Sequence, residues 1–349
     1  MSSRRTATLK DIAADAGIHV ATASRALSRT HSHLVQEETR KRVLESAERL
    51  GYRVNSVARS LRSGKTGTIG VIVFDLANPF TATVLRGIDE VLDETGQLSV
   101  VMETHNEPET LRRAVERLTE NRVDAIIVAA AHLDDREYLL EAAAATPIVL
   151  AVRRSGDPAD PAALSGLPEA LQDDVKGAAE AAQFFLDHGH RHIAQVHGDS
   201  RISSFVDRGF GFQSAIEAHG DAALVGHDGH AHDSTVAEGR RLAAELLALP
   251  SQERPTAIFA HNDMLAVGVL DALAEAGLRC PEDVSVIGYN DAPLIDRVTP
   301  PLTTVKLPAF EIGRHAAQMA VDLIDGKEPD PARVVLPAEM VIRDSVAQR

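Results

Sequence analysis

Residues Thr8 to Arg25, TLKDIAADAGIHVATASR, carry the residue types and spacing needed to read DNA. Thr8 and Asp11 form the Thr-x-x-Asp variant of a capping box, so a short helix starts at Leu9. Ile12, Ala13 and Ala16 give it an apolar face of small side chains, and Gly17 permits a tight turn. A second helix, about Val20 to Leu27, turns Val20, Ala23 and Leu27 inward and leaves Thr22, Ser24 and Arg25 for an outside partner. Two helices joined this way place the second in a major groove, with hydroxyls on phosphates and an arginine on a guanine edge. The plain alternative is a helical hairpin with no role on DNA. Charge weighs against it. Residues 1–65 hold 13 Lys and Arg against 6 Asp and Glu, a net of +7, while the rest holds 23 against 45, a net of −22. The total of −15 thus hides a basic head on an acidic body, which suits a head that meets phosphates.

The following segments complete a module around that pair. Glu37 to Leu50 places Val43, Ala47 and Leu50 on one face and charge elsewhere, which predicts a third helix. Asn55 to Ser63 has helix-forming capacity but is too short to be stable alone, so its order would depend on what it docks against. From Thr68 onward, apolar runs such as TIGVIVFD, VDAIIVAA, TAIFAHN and VSVIGYN alternate with helical segments. That pattern predicts parallel sheets covered on both faces. The body is too long for one such sheet, so two subdomains are expected. Ser155–Leu171, rich in Pro, Gly and small residues, reads as a surface excursion before the first crossover.

Ligands of open parallel sheets sit beyond the C-terminal strand ends. Those ends, Asp75–Phe80, Ala260–Asp263 and Tyr289–Asp291, carry Asn, Asp and Phe, a chemistry that suits a polyhydroxylated ligand. Asn78 and Asn262 also read as plain helix N-caps, with Pro79 at the first helical position, and a capping Asn can still line a pocket. There is no signal-peptide pattern and no apolar run of membrane-spanning length, and the single Cys280 suits a reducing cytosol. No leucine heptads end the chain, so a dimer is expected rather than a coiled-coil tetramer.

The segments LKDIAADAG, VATASRAL, ETRKRVLESAERLGY, VARSLRSG, IGVIVFDLANPF, AHNDMLAVG, VSVIGYND and PPLTTV, in this order and spacing, resemble the lactose-repressor (LacI/GalR) family of transcription regulators. The resemblance runs from about residue 8 to residue 345. It implies an all-α helix-turn-helix head (1–53), a hinge helix and linker (54–67) and an effector-binding and dimerisation body (68–349) of two periplasmic-binding-protein-like subdomains. One subdomain is expected at about 68–167 and 303–333, the other at about 168–299 and 334–349. The implied partners are pseudo-palindromic double-stranded operator DNA, a small-molecule effector and a second copy of the chain, with no cofactor and no membrane.

Carried over residue by residue, the DNA-contacting positions are Thr8, Val20, Ala21, Thr22, Ser24, Arg25, Tyr52, Asn55, Ala58, Arg59, Leu61 and Arg62. Leu61 matches a leucine that paired hinge helices push into a minor-groove step. The effector positions are Phe74, Asn78, Phe80, Thr81, Arg208, Ser234, Asn262 and Asn290, with Arg208 as the clamp whose fork holds two hydroxyls or a carboxylate. There are departures. His19 and Gln36 stand where capping Ser is usual, Ala23 replaces a Val, and two extra residues sit in Arg29–Leu34. Asn290 replaces a frequent Asp, and Ser234 replaces a stacking aromatic. With no Trp in the chain and Ile202 where a purine-reading arginine would stand, a sugar or sugar derivative fits better than a nucleobase. HDGHAHD, His227 to Asp233, has metal-ligand residue types, but no distant partner completes a site, so no metal is expected. GFGF lacks the glycine spacing of a nucleotide loop, and no nucleophile–base pair stands out, so catalysis is not expected. The competing reading is a two-lobed sugar-binding or sugar-modifying protein with an incidental helical head.

Overall fold

Small side chains decide the packing of the first unit, residues 1–67. A computed structural model of the protein describes residues 7–27, 34–52, 64–157, 159, 165–226 and 229–349. Helix Leu9–Asp15 opens on the Thr8–Asp11 capping box, and Gly17 takes φ +65° to turn into helix Val20–Ala26. Helix Glu37–Arg49 closes the bundle. Ile12, Ala13, Ala16, Ala23, Ala26, Val43 and Ala47 form its core. The inward face differs from expectation. Val20 and Leu27 are only half-buried, with Ala26 taking the interior place, and Leu50 is exposed. Ser46 is buried in its stead because its hydroxyl donates to Asp15, which Arg49 also grips, tying the first helix to the third.

The second unit, residues 68–349, holds two six-stranded sheets. The strands are β1 (Thr68–Val73), β2 (Leu98–Glu103), β3 (Ala125–Val128), β4 (Ile148–Ala151), β5 (Glu169–Gln172), β6 (His192–Val196), β7 (Ala223–Leu224), β8 (Ala257–Ala260), β9 (Ser285–Asn290), β10 (Thr303–Lys306), β11 (Arg333–Leu336) and β12 (Glu339–Val341). The first sheet runs β11-β5-β4-β3-β1-β2 and the second β12-β10-β9-β8-β6-β7. All pairings are parallel except β10 with β12. The near-continuous apolar runs of β1, β3, β4 and β8 are buried, as strands covered by helices on both faces must be.

The subdomain boundaries shift by one strand at each crossover. β5 and β11 join the first sheet, and β10 joins the second. The chain crosses only after completing a strand: at Asp173, at Leu307–Pro308 and at Pro337. The expected excursion therefore ends in a strand, because Glu169–Gln172 pairs with both β4 and β11. Among the described residues no helix is long and apolar enough to cross a membrane.

Candidate functional site

In the first unit, helix Val20–Ala26 exposes Ala21 and Arg25 and leaves Thr22 and Ser24 half-exposed, while Val20 packs partly against the head core. His19 does cap this helix, its Nδ1 accepting from Ala21 N at 3.2 Å, whereas Gln36 gives no side-chain cap to the third. Thr8 is exposed, but its hydroxyl donates to Asp11 Oδ2 at 2.7 Å, so capping already occupies it. Tyr52 is half-buried against the head core. Asn55, Ala58, Arg59, Leu61 and Arg62 lie outside the described residues, as does His227.

In the second unit, chemistry gathers where the C-terminal strand ends of the two lobes face each other. Arg208 lies on helix Ser203–His219, which follows β6. A Cβ at Gly211 would stand 2.1 Å from Val175 O, so only glycine lets this helix approach helix Asp174–Asp187 so closely. That approach, rather than nucleotide binding, explains the GFGF run, and it sets Arg208 beside Asp174. Arg208 Nε donates to Asp174 Oδ1 at 2.9 Å and Nη1 to His261 O at 2.5 Å, and the guanidinium lies 4.0 Å over the Tyr289 ring. Gln172 donates to the other Asp174 oxygen at 2.6 Å. Burial pushes the Asp174 carboxyl up, and Arg208 opposes that shift. His261 is fully buried, held far below the usual imidazole range by burial, with Nε2 against Gln195 Oε1 at 3.0 Å.

The other expected effector residues are found in mixed states. Asn78 and Asn262 accept from Phe80 N and Leu265 N, so both cap helices. Phe74 and Phe80 are buried, and Thr81 is buried with its hydroxyl unpartnered. Asn290 is half-buried at φ +114°, and Ser234 lies in the loop before helix Val236–Leu247. Further contacts join the lobes among the described residues. Arg154 meets Asp207 with two bonds, Nε–Oδ2 at 3.2 Å and Nη2–Oδ1 at 2.7 Å. Arg154 N donates to Ser203 Oγ at 2.9 Å, and Leu133 N donates to Arg201 O at 2.9 Å.

A cavity of about 520 Å³ lies between the lobes, lined by His105, Asn106 and Glu107 on one side and by Asp199, Ser200, Arg201 and His230–Asp233 on the other. None of the eight residues expected from sequence lines it. The missed residues follow the ends of β2, β6 and β7, so the rule that ligands sit beyond C-terminal strand ends, applied to every strand, would have found them. Part of the histidine-rich run is therefore cavity wall. His230 Nδ1 lies 2.9 Å from Gly198 O, and His232 N donates to Glu238. His132, Asp134 and Asp135 bring ligand atoms within 4.8 Å of one another. Burial, with Arg153 and Arg201 nearby, pushes the His132 ring down to about 4, and two such cations make poor company for a metal ion.

Residues 8–55 match the family described as bacterial regulatory proteins, lacI family, and residues 182–346 match a periplasmic binding protein-like domain. The chain is 32% identical to the HTH-type transcriptional repressor PurR of Aliivibrio fischeri, over 98% of this chain and 99% of that protein. It is 31% identical to the HTH-type transcriptional regulator CelR of Thermobifida fusca, over 99% and 100%. The solved complex of the transcriptional regulator CelR with cellobiose matches at a TM-score of 0.68 and 28% identity, over 97% of this chain and 99% of that one. A helix-turn-helix head, a two-lobed body and end-to-end similarity to named regulators agree: this chain belongs to the LacI family of bacterial transcription regulators.

Proposed function

We propose that this chain is a cytoplasmic repressor that binds a pseudo-palindromic operator as a homodimer and releases or tightens it when a sugar or sugar derivative occupies the cleft. The observation that carries this is the polar cavity between two lobes, with the buried Arg208 anchored by Asp174 and His261 in the same unit, on a chain whose other unit exposes Ala21 and Arg25 on a short second helix. The relatives that match head and body together bear regulator names, which favours regulation over catalysis and leaves the reading of an incidental head without support. CelR in its cellobiose complex is a relative that holds a sugar. Leu98 and Val100 lie exposed on one face of edge strand β2, an apolar edge that a second copy would cover. The test is a gel shift of the full chain on DNA selected from a random pool, repeated with each sugar that raises its melting temperature. A sugar that shifts melting and also changes DNA binding supports the reading. Melting shifts with no change in DNA binding refute it.

A further inference from the structure

Three arginines near the junction of the lobes do not all have an acidic partner. Arg153, Arg154 and Arg208 are buried, at 3%, 1% and 3% exposure. Asp207 answers Arg154, and Asp174 answers Arg208. Arg153 follows β4 and has no ion pair among the described residues. Its Nη1 donates to Asn106 Oδ1 at 2.9 Å, and its guanidinium lies 4.3 Å over the Phe74 ring. Asp199 acts on it from the other lobe, but both Asp199 oxygens accept from Arg201. Burial pushes Arg153 down to about 9, which is still charged at neutral pH.

The backbone supports this placement. Val152 sits at φ +67°, and Arg153 N bonds back to Ala151 O at 2.6 Å, which is a γ-turn of the strained hand. A β-branched residue resists that conformation, and such strain gathers at binding sites. His105 and Asn106, also at positive φ, present Asn106 to Arg153 and line the cavity. A buried cation without a counter-ion is costly unless a ligand supplies one.

We infer that the effector is an acidic sugar, of the uronate or aldonate class, whose carboxylate pairs with Arg153 while its hydroxyls meet the polar groups of the facing lobe. The inference rests on the reading of the cleft as a sugar site. A single cation without an ion pair among the described residues suits a single carboxylate. A phosphate ester carries nearly twice that charge, and the neutral His132 beside Arg153 adds no second cation. The carboxylate also matches the guanidinium fork in geometry.

Two measurements on the full chain test this. Without any ligand, Arg153→Met should raise the melting temperature, because it removes an uncompensated charge; a fall would show that the guanidinium is already balanced and would overturn the inference. Calorimetry then compares D-galacturonate, D-glucuronate and D-gluconate with D-galactose, D-glucose and D-glucose 6-phosphate. An acid should bind more tightly than its neutral counterpart and lose about 10- to 100-fold in Arg153→Met, a larger loss than the neutral sugar shows in the same variant. Equal or tighter binding of the neutral sugar or of the phosphate ester overturns the acidic class and leaves the sugar site standing. Binding of none of the six, with a nucleobase binding instead, overturns both.

Discussion

Arg154 and Asp207 fasten one lobe of the body to the other through two parallel bonds, from the residue that follows Arg153 to the residue that precedes Arg208. Arg208 and Arg153 are therefore each one residue from the same inter-lobe pair. Any change in lobe closure must move both.

Breaking this pair from one side leaves a buried charge alone. Arg154→Ala or Asp207→Ala should each lower body stability by about 3–5 kcal/mol, since the surviving partner is desolvated without compensation. The double variant should lose less than the sum of the two. Urea unfolding of the three variants measures the coupling, and additive losses would show that the pair does not hold the lobes.

Arg208→Lys keeps a cation beside Asp174 but cannot reproduce the fork that reaches both Asp174 and His261 O. Effector affinity should fall by about 10- to 100-fold while DNA binding without effector survives. Arg208→Ala would leave Asp174 buried and unpaired, so loss of binding there would be mixed with loss of fold. Near-native effector affinity of Arg208→Lys in calorimetry would remove Arg208 from the site.

Arg25 is exposed on the outer side of its helix, so its truncation should not disturb the head core of Ile12, Ala23 and Val43. Arg25→Ala should abolish discrimination between operator and random DNA and leave weak, salt-sensitive binding through the other basic residues. Unchanged specific affinity at fixed salt would show that another element reads the bases.

His190 is buried with its ring between Thr256 Oγ1 and Ala347 O, and burial pushes it down to about 4. A depressed imidazole contributes stability above its unfolded value, near 6.5, and loses it as pH falls toward 4. The stability gap between wild type and His190→Gln should therefore be widest above pH 6.5 and narrow on acidification through that window. A gap that stays constant from pH 7.5 to pH 4.5, measured by urea midpoints, would contradict the assignment.

What the sequence made legible was local. The Thr8–Asp11 box, the Gly17 turn, the Asn78 and Asn262 caps and the long apolar strands are each encoded within a few residues, and all are present. β5 escaped because Glu169–Gln172 carries no β-branched residue and follows a Pro-rich stretch, so only its pairing with β4 and β11 makes it a strand. Leu50 fitted the apolar period yet is exposed, because Ser46 found a partner in Asp15. The cleft was harder still. Arg153 meets Asn106 across 47 residues and Arg154 meets Asp207 across 53, and no periodicity encodes either pair. Arg208 was visible only through resemblance, and its partners only through the fold.

Control of DNA by the cleft is most directly tested by linkage. The affinity of the full chain for its effector is measured by calorimetry with and without saturating selected operator, and operator affinity is measured with and without effector. The two ratios should be equal and different from one, with mutual weakening marking an inducer and mutual strengthening a corepressor. Effector affinity that is identical on and off the operator would contradict it.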